Sequence, residues 1–124
     1  MFLKGKANAF PNGDTNGVVL LQPFLVKFFG ELFWQGKTFD LKNNELTNRF
    51  LGFHFIRGKL KKGKSFFDKK SVLLIDYSSS SKLAGEVVDE LREIGKGLFL
   101  GRAYKKARFF ASFALEAETS RPFG

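Results

Sequence analysis

The segment 108–117 constrains the fold most, because apolar residues recur at every second position along it. Residues 109, 111, 113, 115 and 117 are Phe, Ala, Phe, Leu and Ala, while Arg108, Ser112 and Glu116 fall on the alternate face. This period of two is typical of a strand with one buried face. Apolar runs at residues 71–77 and 98–104 predict two further strands. The chain is therefore expected to form mostly antiparallel β-structure.

The longest predicted strand, residues 46–57, has polar groups on both of its faces. A strand in a two-sheet sandwich would separate apolar from polar side chains more cleanly. A barrel strand that faces a partly polar interior would show this mixture, and so would a strand that twists across a sheet edge. Gly52, at its middle, suits a bulge or bend that lets a sheet curl. The pattern is therefore compatible with a barrel.

Two helices are predicted beside the strands. Pro23 suits a first helical turn, and apolar residues then recur on one helical face, which predicts a helix over 23–33. A second helix is predicted over 82–94, ending before Gly95. Its apolar face would carry Leu83, Val87, Leu91 and Ile94, and its acidic face Glu86, Asp89, Glu90 and Glu93. The acidic face is interpreted as solvent-exposed. The predicted fold class is α+β.

The composition limits the domain count and the chemistry. A chain of 124 residues predicts a single domain over 1–124, with a loose arm at 1–17 and a tail at 119–124. It has no cysteine and one histidine, which argues against disulfides and against zinc or copper sites, so no metal or cofactor is expected. The apolar run 18–34 is interrupted by charges, so it is a poor membrane span. A soluble, cytoplasmic protein is expected.

Most of the net positive charge lies in one segment. The chain carries 21 basic and 12 acidic residues, a net charge of +9, and residues 57–70 hold seven basic residues and one acidic residue. This segment is predicted to be a hairpin or loop, with Lys59, Lys61, Lys62 and Lys64 free to contact anions. Together with Phe66 and Phe67 it would suit an anionic membrane surface or single-stranded nucleic acid. A solvated hairpin without a partner is the simpler interpretation.

Several short motifs carry a resemblance to known proteins. They are Phe33-Trp34-x-Gly36-Lys37-x-Phe39, Asn48-Arg49, Asp76-Tyr77, Asp89-Glu90-Leu91-Arg92-Glu93, Gly97-Leu98-Phe99-Leu100-Gly101 and Phe109-Phe110-x-x-Phe113-x-Leu115. Over about residues 30–117 the chain resembles small bacterial proteins of unassigned function and, more distantly, the calycin-like GxWxG family, with Leu32 in place of the first glycine. The resemblance implies a small, lipocalin-like antiparallel β-barrel with one or two flanking helices, of a class that often holds an apolar ligand.

The leading hypothesis is non-catalytic binding of a small hydrophobic ligand, neutral or anionic, such as a fatty acid or related lipid. The polar candidates are Asn48, Arg49, Arg92 and Tyr104, and the apolar ones are Phe50, Phe53, Phe55, Phe99 and Phe113. Arg49, Arg92 or Tyr104 would fix the polar end of the ligand. Ordinary ion pairing is the alternative role for both arginines. Trp34 and Gly36 are assigned a structural role, with the indole packed over the first strand.

Two other functions remain open. Asp76 and Tyr77 could act as base and hydroxyl donor in an isomerase or cyclase with a hydrophobic substrate. Adjacent strand residues point to opposite faces, so both could reach one cavity only from a bulge or a strand end. The third function is a basic module for membranes or nucleic acid. Exposed phenylalanines would also allow a homodimer.

Overall fold

The computed structural model describes residues 2–21, 34–50, 53–78 and 86–117, without the side chains of Leu21, Phe50 and residues 53–55. A 3-10 turn at Phe2–Lys4 precedes the strands in these ranges. The strands are β1 Gly13–Leu21, β2 Trp34–Asp40, β3 Glu45–Phe50, β4 Phe53–Lys64, β5 Ser71–Asp76, β6 Val87–Gly95, β7 Leu98–Lys105 and β8 Arg108–Ala117. No helix in the described ranges has the length and apolar character that crossing a bilayer requires.

The eight strands form a closed antiparallel barrel in chain order. Each strand pairs with the next, and β1 pairs with β8, with Thr15 opposite Ala117. Closure satisfies the backbone groups that an edge strand would leave unpaired. An eight-stranded barrel has an interior just wide enough to be filled by side chains or to hold one small ligand. The barrel predicted from the sequence is therefore confirmed.

The predicted flanking helices are not confirmed. The helix predicted over 82–94 is wrong where the chain is described, because Val87–Gly95 is strand β6. Its carboxylates suggested a solvated helix face, but Asp89 and Glu90 are buried and hydrogen-bonded to groups from other elements. Hydrogen-bond partners from elements distant in the sequence thus allow a charged segment to lie in the sheet. The helix predicted over 23–33 lies outside the described residues.

Three predicted segments have boundaries that differ from the observed ones. The predicted strand 46–57 is two strands, β3 and β4. Strand β4 continues to Lys64 through the segment predicted as a basic hairpin, so the connecting loop is confined to residues 65–70. Strand β1 begins at Gly13, within the segment expected to be a loose arm. The predicted tail at 119–124 lies outside the described residues.

The core lies inside the barrel and one end of it is closed by the start of the chain. Apolar side chains from β2 to β8 fill the interior, among them Phe39, Leu46, Leu60, Leu73, Ile75, Leu91, Phe99, Phe113 and Leu115. Phe10 packs against Phe39, with ring centroids 5.9 Å apart, where β2 ends. Trp34, Val87 and Phe110 lie at the opposite end and are only partly buried by the described residues.

Candidate functional site

A cluster of polar side chains is buried in the barrel interior. It consists of Trp34, Lys37, Asn48, Tyr77 and Asp89, called here the interior cluster. Lys37 Nζ lies 2.8 Å from Asp89 Oδ2, and both side chains are almost inaccessible, at 4% and 6% exposure. Strands β2 and β6 are not neighbours in the ring. This ion pair therefore crosses the interior of the barrel.

The remaining hydrogen bonds join the cluster into one network. Lys37 Nζ donates to Asn48 Oδ1 and to Tyr77 OH, both at 2.7 Å, so each of its three protons has an acceptor. Tyr77 OH donates to Asp89 Oδ2 at 2.9 Å. Trp34 Nε1 donates to Asn48 Oδ1 at 3.1 Å. The lysine charge is thus balanced and its donors are fully used.

The backbone around Lys37 is fixed by its neighbour on β1. Thr15 Oγ1 donates to the carbonyl of Lys37 at 2.7 Å and accepts from its amide at 3.3 Å. Thr15 is fully buried. Because both backbone groups of Lys37 are bound, its side chain leaves the strand in one direction, toward Tyr77 and Asp89.

Aromatic rings surround the ammonium group. Lys37 Nζ lies 5.2–5.5 Å from the ring centroids of Trp34, Tyr77 and Phe113, within the range of cation–π attraction. Glycine positions make room for two of these rings. A β-carbon at Gly17 would clash with the indole of Trp34, and one at Gly101 would clash with the ring of Phe113. The expectation that the indole packs over the first strand is confirmed.

Tyr77 and Asp89 set the hydrogen-bonding character of the interior cluster. Burial, and secondarily the negative charge of Asp89, raises the pKa of Tyr77 well above its usual value, so the phenol stays protonated and donates. Within the described part of the chain, Asp89 Oδ1 receives no hydrogen bond. A buried carboxylate oxygen gains most from a donor. The arrangement can therefore accept a hydrogen bond from a hydroxyl or amide group of a bound molecule.

The interior brings together some of the predicted site residues. Asn48 and Tyr77 belong to the interior cluster, and Phe99 and Phe113 are buried beside it in the core. The side chains of Phe50, Phe53 and Phe55 are outside the described set. Sequence reasoning missed Lys37 and Asp89. Lys37 lies two positions before the buried Phe39 in strand β2 and so shares its face, but none of the strands predicted above includes it.

Asp76 does not join Tyr77 in the interior. Its carboxylate lies on the outer face, 2.8 Å from Lys61 Nζ. The hydrogen bond from Lys61, and those from Ser78, lower the pKa of Asp76 to about 2. The carboxylate that meets the Tyr77 hydroxyl is Asp89.

The three predicted head-group residues also lie outside the barrel. Arg49 crosses β2 to donate to the carbonyl of Thr15 at 2.6 Å. Arg92 is buried on the outer face of β6, where it binds Asp68 through two nitrogens at 2.6 and 2.7 Å. Tyr104 accepts a hydrogen bond from Arg102 at 2.9 Å. The ion-pair alternative thus describes Arg92 correctly.

The four predicted anion-contact lysines lie along β4. Lys61 pairs with Asp76, and Lys62 Nζ donates to the carbonyl of Asn8 at 2.7 Å. Lys59 and Lys64 are exposed. None of the described residues forms a group of three or more His, Cys, Asp or Glu side chains that could hold a metal ion.

Two buried charges on β6 anchor the loop 65–70 to the outside of the barrel. Glu90 is fully buried and accepts from Ser65 Oγ at 2.6 Å and from the Phe66 amide at 2.7 Å. Arg92 binds Asp68, and also the carbonyls of Ser71 and Lys70, at 3.1 and 3.3 Å. The first half of the loop is therefore held by Glu90 and the second half by Arg92.

Replacing Asp68 by Asn is expected to lower the free energy of unfolding by about 2–3 kcal/mol at neutral pH, because it leaves Arg92 buried without its counter-charge. The hydrogen bond from Arg92 lowers the pKa of Asp68 to about 2, below its value in the unfolded chain. The difference in the free energy of unfolding between wild type and Asp68→Asn is therefore largest above about pH 4 and falls as the pH is lowered toward about 2.

Urea unfolding of both proteins across this pH range measures the difference. Asp14→Asn is the control, because Asp14 is about half exposed and lies 3.7 Å from Arg49, an arrangement worth about 0–1 kcal/mol. A pH-independent gap between wild type and Asp68→Asn would contradict the assigned ion pair.

The barrel is similar in fold to a protein from Thermomonospora curvata whose crystal structure is known. The two chains align with a TM-score of 0.65 at 14% identity, over 94% of this chain and 82% of that one. At this identity the likeness shows the fold alone. No protein-family model and no curated protein matches the chain. The comparison thus supports a barrel, and it does not assign the chain to the calycin-like family.

Proposed function

We propose that this barrel binds a small, mostly apolar molecule with an oxygen-bearing head group at the interior cluster. The observation that carries the proposal is the buried ion pair of Lys37 and Asp89. Removing two charges from water costs several kcal/mol, and well-packed apolar side chains of similar volume usually serve stability as well or better. A core needed only for packing would have little use for the pair.

The interior cluster lies toward one end of the barrel. Asn48, Tyr77 and Asp89 lie near the end of the barrel where β2 and β6 begin. The apolar side chains at this end, Val87 and Phe110, are only partly buried by the described residues. A ligand entering here would place its head group at polar atoms and its apolar part against rings and aliphatic side chains, as small-molecule sites generally do.

The charge state of the interior cluster favours a neutral head group. Lys37 is already balanced by Asp89, so a carboxylate would enter a net-neutral site and meet the negative charge of Asp89. A hydroxyl group would instead donate to the open Oδ1 atom of Asp89. A fatty alcohol or related hydroxylated lipid therefore fits better than a fatty acid.

Trp34 is the only tryptophan of the chain and belongs to the interior cluster, so its fluorescence reports directly on this site. Titration with 1-decanol is expected to shift the emission saturably, with an affinity about tenfold higher than that of decanoate. Asp89→Asn should weaken decanol binding by a similar factor. Asp76→Asn, a carboxylate change on the outer face, should leave it unchanged. The proposal fails if neither compound shifts the emission, or if Asp76→Asn and Asp89→Asn behave alike.

A further inference from the structure

The outer face of the barrel presents apolar side chains that the fold does not cover. Phe66, Phe67 and Phe109 are 45%, 49% and 38% exposed. Arg102 and Tyr104 join these three rings into one surface, since Arg102 contacts Phe67 and Phe109 and Tyr104 contacts Phe66 and Phe109. We call Phe66, Phe67, Arg102 and Phe109 the outer patch. Contiguous exposed apolar side chains mark interaction surfaces.

The fold holds this patch in place instead of burying it. The loop that carries Phe66 and Phe67 is fixed by the buried charges of Glu90 and Arg92. The ring of Phe66 packs on Tyr104 at 4.9 Å between centroids. The two phenyl groups are thus presented on a rigid support, at the cost of burying two charged groups on the outside of the barrel. Stability alone does not explain that arrangement.

Arg102 gives the patch a cationic centre. Its guanidinium carbon lies 4.4 Å from the ring centroid of Phe67 and 4.3 Å from that of Phe109. Its Nε atom donates to Tyr104 OH. Across the described ranges, its two terminal nitrogens donate to no side chain or carbonyl, and no carboxylate pairs with it. The planar guanidinium group packs against the rings of Phe67 and Phe109, and its terminal nitrogens remain able to bind an anionic oxygen group.

The charges around the patch are positive. Its nearest acidic residues, Asp68 and Glu90, are already bound to Arg92 and to the 65–70 loop. The exposed basic residues beside the three phenylalanines in the sequence are Lys64, Lys69, Lys70 and Arg108. None of these four forms an ion pair with another residue in the described ranges. The surface is therefore complementary to an anionic partner that also accepts apolar side chains.

We propose that the outer patch docks the barrel on an anionic membrane surface. Phe66, Phe67 and Phe109 would enter the boundary between head groups and acyl chains, and Arg102 would bind a lipid phosphate. Single-stranded nucleic acid also joins phosphates to flat apolar groups. The membrane is favoured because Phe66 and Phe67 already have Tyr104 and Arg102 against them, which leaves less ring surface on which a base could stack.

The test is co-sedimentation of the full chain with vesicles. One set contains phosphatidylcholine alone, and the other contains about one-third phosphatidylserine. Binding is expected only to the second set, and it should fall as NaCl rises from about 0.1 to about 0.5 M. The double variant Phe66→Ser with Phe67→Ser should bind about tenfold more weakly or worse, and Arg102→Gln about fivefold more weakly.

Matched controls keep the test specific. Val18→Ser with Leu41→Ser removes exposed apolar groups outside the patch, and Arg57→Gln removes an exposed arginine on β4. Both should bind as wild type does. Trp34 emission verifies that every variant is folded. Equal binding to both vesicle sets, no binding to either, or equal losses in the controls would overturn the proposal. Oligothymidylate binding that requires Phe66 and Phe67, without vesicle binding, would assign the patch to nucleic acid instead.

Discussion

Replacing Lys37 by Met is expected to lower the free energy of unfolding by about 3–5 kcal/mol, because it leaves the buried Asp89 carboxylate without its counter-charge. Met preserves most of the volume of the side chain, so the loss reports mainly on charge. The double variant Lys37→Met with Asp89→Leu removes both charges and should recover a large part of the loss. Urea unfolding of the two single variants and the double variant measures the coupling between the two sites.

The outer face supplies the matched control. Lys61 and Asp76 form an ion pair of the same length, 2.8 Å, but their side chains are 53% and 24% exposed. Lys61→Met should therefore change stability by only about 0–1 kcal/mol. If Lys37→Met is no more costly than Lys61→Met, the interior pair is solvated and the argument for the interior cluster is lost. A stable double variant that no longer binds decanol would show that the pair serves binding and not folding.

Gly36→Ala is expected to lower the free energy of unfolding by about 3–5 kcal/mol, or to prevent folding. Gly36 has a φ of +138°, a backbone conformation almost confined to glycine. A β-carbon there would also collide with the carbonyl oxygen of Thr15 and lie 2.9 Å from the Gly17 amide nitrogen. These atoms belong to backbone and cannot turn aside, so strain and steric overlap add.

Gly13→Ala separates the two effects. Gly13 also has a positive φ, +78°, but a β-carbon there would meet nothing within 4 Å. Gly13→Ala should lower the free energy of unfolding by about 1–2 kcal/mol, from the backbone conformation alone. Thermal unfolding of both variants gives the comparison. A Gly36→Ala protein as stable as Gly13→Ala would mean that β1 and β2 do not approach as closely as described.

The sequence predicted the strands whose patterns are local. The alternation over 108–117 places Ala111, Phe113, Leu115 and Ala117 on the buried face, as observed. Phe109 was expected on that face and is exposed, because the pairing of β7 with β8 shifts between Ala103 and Tyr104. A bulge of this kind depends on the partner strand, so the alternation within one strand cannot reveal it.

The sequence could not predict the interior cluster, for a related reason. Asp89 lies in a segment with helical periodicity, and its polar character suggested a face in water. Its partner, Lys37, is supplied by β2 from the far side of the barrel. Whether a carboxylate can be buried depends on such a partner. The same holds for Glu90, which is accommodated by Ser65 and the Phe66 amide. Tyr77 lies in the interior cluster, but the carboxylate that its hydroxyl meets is Asp89 and not the adjacent Asp76.

Closure of the barrel determines how long its first strand must wait for a partner during synthesis. Strand β8 reaches β1 through pairs such as Thr15 with Ala117, about 100 residues apart in the chain. At a synthesis rate of about 5–20 residues per second, β1 waits about 5–20 s for this partner. During that time β1 can contact β2, through the ladder pairs at Gly13 and Asp14 and the hydrogen bonds between Thr15 and Lys37. The pairing that closes the barrel therefore cannot form until translation has passed β8, so the first strand to be synthesised has to wait for the last one.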